Sequence, residues 1–168
     1  GRHPRRGIAA AGPAHAGEAR GRGLRAAASG PGAAGHRDRG QVTGANSIWI
    51  AGEHAHSLPN RVKLPAVTKA KDLILAGAHL HSDKALRCVI DLPVELDDFT
   101  KDERRRISAF LSWAKLNGAD QSYIARHRKA WWSVGLKAPA PILCTYMARR
   151  PPQFTLNACD ARHINIAH

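Results

Sequence analysis

Between residues 120 and 150 stand Arg126, Arg128, Lys129, Lys137, Arg149 and Arg150, against a single acid, Asp120. Tyr123, His127, Trp131, Trp132 and Tyr146 are interleaved with them. Cations at this density hold phosphates, and aromatic or guanidinium planes stack on bases. The plainer reading is a solvated basic surface, with one tryptophan in a core and the other shielding a strand edge. If Trp131–Leu136 is a strand, the adjacent Trp131 and Trp132 point to opposite faces, one toward a core and one free for an interface.

Other chemistry finds less support. There is no glycine-rich phosphate loop, no G-x-S-x-G and no H-E-x-x-H. His54-x-His56 and His79-x-His81 share a side only on a strand, and each pair needs further ligands to hold a metal. Surface histidines are the simpler account. Cys144 lies in an apolar segment and reads as a buried, inert thiol. The three cysteines include no C-x-x-C, which argues against a disulfide framework or zinc ribbon and suits a reducing, cytoplasmic setting. Arg150-Pro151-Pro152-Gln153-Phe154 has no acceptor side chain before its prolines, so it cannot orient an exocyclic amine. No catalytic, cofactor-binding or metal-ligating residue is therefore assigned. No apolar run approaches the ~18 residues of a membrane span, and the basic N-terminus lacks the apolar stretch of a secretory signal.

The elements that must position the basic window lie beyond residue 40. The 168 residues carry 26 Lys+Arg and 13 Asp+Glu, a formal net charge of +13. Residues 1–40 hold 10 Gly and 11 Ala, with Ile8 and Leu24 their only large aliphatics. Such a segment cannot bury enough surface to offset chain entropy. It reads as a disordered basic Arg/Ala/Gly-rich tail, or as a GC-rich frame translated out of phase. Positions 41–168 still carry 18 basic against 11 acidic side chains, so a polyanionic partner is implied for the ordered part as well.

Order begins near Gln41. Thr43-Gly44-Ala45-Asn46 reads as a turn into a short strand at Ile48–Ile50. Residues 52–65 read as a surface connection. Thr68 is placed to cap a helix running to about Leu80, and Leu86–Ile90 reads as a strand. The clearest helix is 101–116, with Thr100 and Glu103 as a capping box, Ile107, Phe110, Leu111 and Ala114 on one stripe, and Asn117-Gly118 as its stop. Arg104, Arg105 and Arg106 sweep round that helix and are expected to face solvent. Strands are expected at Trp131–Leu136, Ile142–Met147, Phe154–Leu156 and His163–Ala167. The fold class is α+β, a mixed sheet concentrated in the C-terminal third with a few helices.

The order of these motifs resembles a known family. Arg39-Gly40-Gln41-Val42-Thr43-Gly44-Ala45-Asn46 is similar to the RG-x-x-TG-x-N segment that opens the target-recognition region of restriction–modification, adenine-specific (N6) DNA methyltransferases. Tyr123-Ile124-Ala125-Arg126-His127-Arg128-Lys129-Ala130-Trp131-Trp132 resembles their Y-x-x-R-x-x-x-W-W. Pro139–Leu143 leading to Thr145–Pro152, and Arg162–His168, follow in the family's order. The resemblance covers about residues 39–168.

It implies a two-part enzyme: a Rossmann-like domain that uses S-adenosylmethionine to methylate adenine N6, and a C-terminal domain that grips the duplex while the target base is flipped out. This sequence contains neither a Phe-x-Gly-x-Gly cofactor loop nor an Asn-Pro-Pro-Tyr loop. Residues 41–168 are accordingly expected to be a partial target-recognition domain, inactive alone, with double-stranded DNA and the catalytic domain of the same protein as partners. The resemblance places Arg39, Thr43, Asn46, Trp131 and Trp132 along the DNA cleft and gives Arg126, Arg128 and Lys129 to phosphate. Arg149, Arg150 and Asn165 go to base edges, since Arg reads guanine and Asn reads adenine. Arg128→Ala is then expected to flatten the salt dependence of binding by about one unit. Two alternatives stay open: a stand-alone basic module that binds RNA or single strands through its tail and aromatic patch, and a scaffold with no nucleic-acid partner.

Overall fold

The computed structural model describes residues 41–145 and 151–166. Residues 1–40, for which a disordered tail is expected, lie outside the described residues, as do 146–150 and 167–168. The fold is α+β, with two mixed sheets and few helices.

The chain enters through helix α1, Asn46–Trp49, where a strand is expected. The Thr43 hydroxyl donates to Asn46 Oδ1, and the N–H groups of Trp49 and Ile50 bond the carbonyls of Ala45 and Asn46, each at 3.0 Å. A helical turn sets Ile48 and Trp49 about 100° apart, so both can bury, at 4% and 0% exposure. A strand would send them to opposite faces. Only Ile50 keeps a β-bridge, to Val89. Two short 3-10 turns follow, at Glu53–Ala55 and Asn60–Val62. Buried Ala55, Leu58 and Val62 make part of the expected surface connection a wall of the core.

In the first sheet, β1 (Lys63–Val67) lies between antiparallel β3 (Arg87–Ile90) and parallel β6 (Arg162–His163). Pro65 sits in this central strand, opposite Cys88. The Cys88 carbonyl turns away from β1 to accept from Ala51 N–H. The nitrogen of Pro65 therefore faces the β6 side, where pairing starts only at Ala66, so no ladder bond is lost.

Helix α2 is Ala70–Ala76, shorter than expected. Asp72 Oδ2 accepts from the N–H groups of Thr68 and Lys69, at 3.1 and 3.0 Å. The Thr68 hydroxyl, expected as the cap, instead accepts from Arg87. Gly77, with φ +68°, ends the helix and frees His79–Leu80 to form β2. In the second sheet, β5 (Phe154–Asn157) lies between parallel β2 and antiparallel β4 (Ile142–Cys144). The strands expected from Ile142 and Phe154 are thus present as β4 and β5, whereas the strand expected at His163–Ala167 keeps only His163, in β6, because the chain bends at residues 164–165 with Asn165 at φ +56°; residues 63–90 complete each sheet.

Helix α3, Lys101–Leu116, has the expected capping box: Glu103 N–H donates to Thr100 Oγ1 at 3.2 Å, and Thr100 N–H to Glu103 Oε2 at 2.9 Å. Ile107, Phe110 and Ala114 bury against Trp49, Leu58, Val62, Ile90, Leu92 and Phe99, forming the first core. Arg104 and Arg105 face solvent, and Arg105 and Arg106 pair with Asp102 on the surface. The expected strand at Trp131–Leu136 does not form. Gly135 has φ +64°, outside the strand region, and the segment runs as a turn and an irregular loop.

Candidate nucleic-acid interface

Three stretches that are distant in sequence meet around Gln41. Its side-chain amide donates to the carbonyls of Val134 (2.8 Å) and Gly135, and its Oε1 accepts from Lys137 N–H at 2.9 Å. Its own carbonyl accepts from Asn165 N–H at 3.0 Å. Arg162 Nη1 adds a bond to the Lys137 carbonyl. One glutamine thereby ties the opening turn, the loop after the tryptophan pair and the end of β6.

The same turn packs on helix α4, Tyr123–Arg126. Ser122 caps α4 by accepting from Ala125 N–H at 3.1 Å. Gly44 has φ +81°, and a Cβ there would stand 2.7 Å from Ser122 Oγ and 3.4 Å from Ile124 Cβ. The position therefore needs glycine for conformation and for space. Thr43 is fully buried, so its side chain shapes this turn while Asn46 stays exposed.

Arg128 is the second tie. Its Nη2 donates to the Thr43 carbonyl at 2.9 Å and to the Val42 carbonyl at 3.3 Å. Its Nη1 is buried with no hydrogen-bond partner among the described residues. Burial lowers the arginine's pKa, the Asp91 carboxylate opposes that shift, and the group stays cationic at neutral pH. Asp91 also accepts from the N–H groups of Gly135 (2.7 Å) and Leu136 (2.9 Å), fixing the loop. Arg128, expected to hold phosphate beside Arg126 and Lys129, is thus held by backbone carbonyls. Arg126 and Lys129 are exposed.

The tryptophans correct another expectation. With no strand at 131–136, Trp131 and Trp132 are not split between two faces. Both are half-buried against the first core. Trp131 lies 6.3 Å from Trp49 and 5.7 Å from Trp132, whose Nε1–H donates to the Pro93 carbonyl at 3.1 Å. Asn165 takes a left-handed backbone, φ +56°, and is half-buried. Arg39, Arg149 and Arg150 lie outside the described residues. Gln41, Ser122 and Asp91 were missed as organisers because their roles rest on long-range bonds to backbone groups. Ser122 alone left a local trace, as a hydroxyl just ahead of a helical turn.

The other candidates are structural. His54 bonds the Ile48 carbonyl through Nε2 at 2.9 Å and stacks on Trp113 at 4.8 Å. His79 and His81 stack at 5.4 Å beside a cavity of about 310 Å³. Among the described residues, no group of three or more His, Cys, Asp or Glu could hold a metal ion. No described helix is long and apolar enough to cross a membrane.

Two cavities among the described residues do not suit S-adenosylmethionine. The one of about 420 Å³ is lined by Lys63 and His56 and has no carboxylate to face a sulfonium or a ribose. The other has only Asp72, whose Oδ2 already accepts two backbone N–H groups.

Residues 27–168 match the family described as the type II methyltransferase M.Eco57I, C-terminal domain. Over 130 residues the chain is 86% identical to the type II methyltransferase M.XamI of Xanthomonas campestris pv. amaranthicola, covering 77% of this chain and 25% of that protein. The chain thus spans about a quarter of the length of this curated relative. No solved structure matches it.

Proposed function

This chain belongs to the family of the type II methyltransferase M.Eco57I C-terminal domain, the C-terminal region of a restriction–modification methyltransferase, and from that membership we propose that it recognises duplex DNA for an adenine-N6 methyltransferase. S-adenosylmethionine supplies the methyl group in such an enzyme, and methyl transfer is assigned to the rest of the protein. The observation that carries the reading is the convergence on one surface of the Gln41–Asn46 turn, α4 and the 127–137 loop. These are the stretches that resemble the family's recognition region.

Within this reading Arg126 and Lys129 hold phosphate. Arg128 and Thr43 position the turn from which Asn46 projects, and Trp131 and Trp132 support it from the core side. Asn165, Arg149 and Arg150 read base edges, and Arg39 is assigned to the DNA cleft by the same resemblance. Direct readout of this kind distinguishes guanine by Arg and adenine by Asn.

The test is fluorescence anisotropy of labelled duplex and single-stranded DNA, with the full chain and with a variant lacking residues 1–40. Duplex affinity is expected to survive the deletion largely intact. Collapse of binding, with single strands preferred throughout, would favour the tail-based RNA or single-strand module. No binding at low salt would leave neither.

A further inference from the structure

We propose that Tyr123, braced by His127, is a stacking platform for a nucleobase exposed at an opened base step. The inference rests on the duplex-DNA reading above. Tyr123 is 77% exposed. Its ring lies 4.0 Å from the His127 imidazole, tilted by 36°. His127 Nδ1 lies 2.7 Å from the Tyr123 carbonyl. A carbonyl only accepts, so Nδ1 carries the proton and Nε2 is the nitrogen left for other partners. The two rings are therefore held together by a backbone bond as well as by contact.

Such bracing reduces the rotamer freedom lost when a base stacks on the phenol. Arg126 lies three residues on from Tyr123, and His127, which follows α4 directly, lies four on, so all three share one side of this turn. Arg126 and His127 are exposed too. One surface thus offers a ring to a base face and a guanidinium to the adjoining phosphate. A single exposed aromatic is ordinary on a protein surface. A braced one beside an exposed cation, flanked in sequence by the Ser122 and Ile124 that lie against Gly44, is arranged for stacking.

The experiment compares two labelled duplexes of the same sequence, one fully paired and one with an abasic site opposite a central base. Anisotropy is measured with the full chain, Tyr123→Ala and Tyr123→Phe, and far-UV circular dichroism checks each fold. Tyr123→Ala is expected to lose about fivefold or more on the duplex with the unpaired base and less than about twofold on the paired one, with Tyr123→Phe unchanged. Equal loss on both duplexes, or no loss on either, overturns the platform while wild-type binding to the paired duplex leaves the DNA reading standing. Failure of the wild type to bind either duplex at low salt overturns both. A readout independent of any variant places 2-aminopurine as the unpaired base. Stacking quenches its fluorescence on wild-type binding, and unchanged emission in a bound complex overturns the platform.

Discussion

Arg128 separates what residue type can say from what placement adds. Its neighbours Arg126 and Lys129 are exposed, whereas its guanidinium bonds the carbonyls of Val42 and Thr43. Arg128→Ala is now expected to lower stability by about 1.5–3 kcal/mol, the scale of hydrogen bonds to a charged group, read as a fall in thermal midpoint. Arg126→Ala and Lys129→Ala should leave the midpoint unchanged, and each should flatten the slope of log affinity against log salt by about one unit. A sequence cannot distinguish these cations, because the difference lies in two carbonyls on a turn remote along the chain. Gly44 was legible as a turn residue, but its contact with Ser122 was not. Gly44→Ala should cost about 1–2 kcal/mol from its left-handed backbone alone, with the Ser122 approach adding to that, measured as a lower urea midpoint.

Among the elements, α3 was read correctly from its T-x-x-E start to its Asn-Gly stop, because cap, stripe and terminator all lie in one unbroken stretch, from Thr100 to Gly118. The segments at 48–50 and 131–136 were misread as strands for a shared reason. Apolar runs of this length do not distinguish a strand from a helical turn or a packed loop, and long-range partners decide. Ile48 and Trp49 bury together in α1, while Asp91 holds Gly135 and Leu136 out of any ladder. The cap of α3 also carries a pH signature. The Thr100 backbone N–H, assisted by the Thr100 hydroxyl and Arg61 and opposed by desolvation, holds the Glu103 carboxyl below its ordinary value. A lowered carboxyl pKa stabilises the fold fully above the unfolded value, and that contribution is lost as pH falls through the folded one. Urea midpoints across acid pH should therefore drop in the wild type below the ordinary carboxylate range. Glu103→Gln keeps a capping side chain and should reduce that drop, while Thr100→Ala should cost about 1 kcal/mol near neutral pH.

At the scale of the whole molecule, the basic balance was legible directly, and positions 41–168 carry 18 basic side chains against 11 acidic ones. With Arg128 positioning the turn and Arg149 and Arg150 on base edges, the phosphate contacts of Arg126 and Lys129 should give a salt slope on duplex DNA of about −1.8. A slope near zero would leave the basic surface without a polyanion. The α+β class was also legible, but the pairing was not: nothing local in residues 63–67 or 79–80 announces partners near residue 160. That pairing governs the order in which the chain can acquire its structure. β1 and β3 are close in sequence, with only α2 and β2 between them, and can meet early. Among the described strands, β2 and β4 touch none but β5. The second sheet therefore cannot exist until Phe154–Asn157 arrives, and β6 must then close the first one. On a ribosome, the β1–β3 pair and the capped helix would emerge first, while β2 waits through the synthesis of α3, α4 and β4. Through that interval its edge is an unpaired template, and any neighbouring nascent chain competes with the protein's own late strand for it.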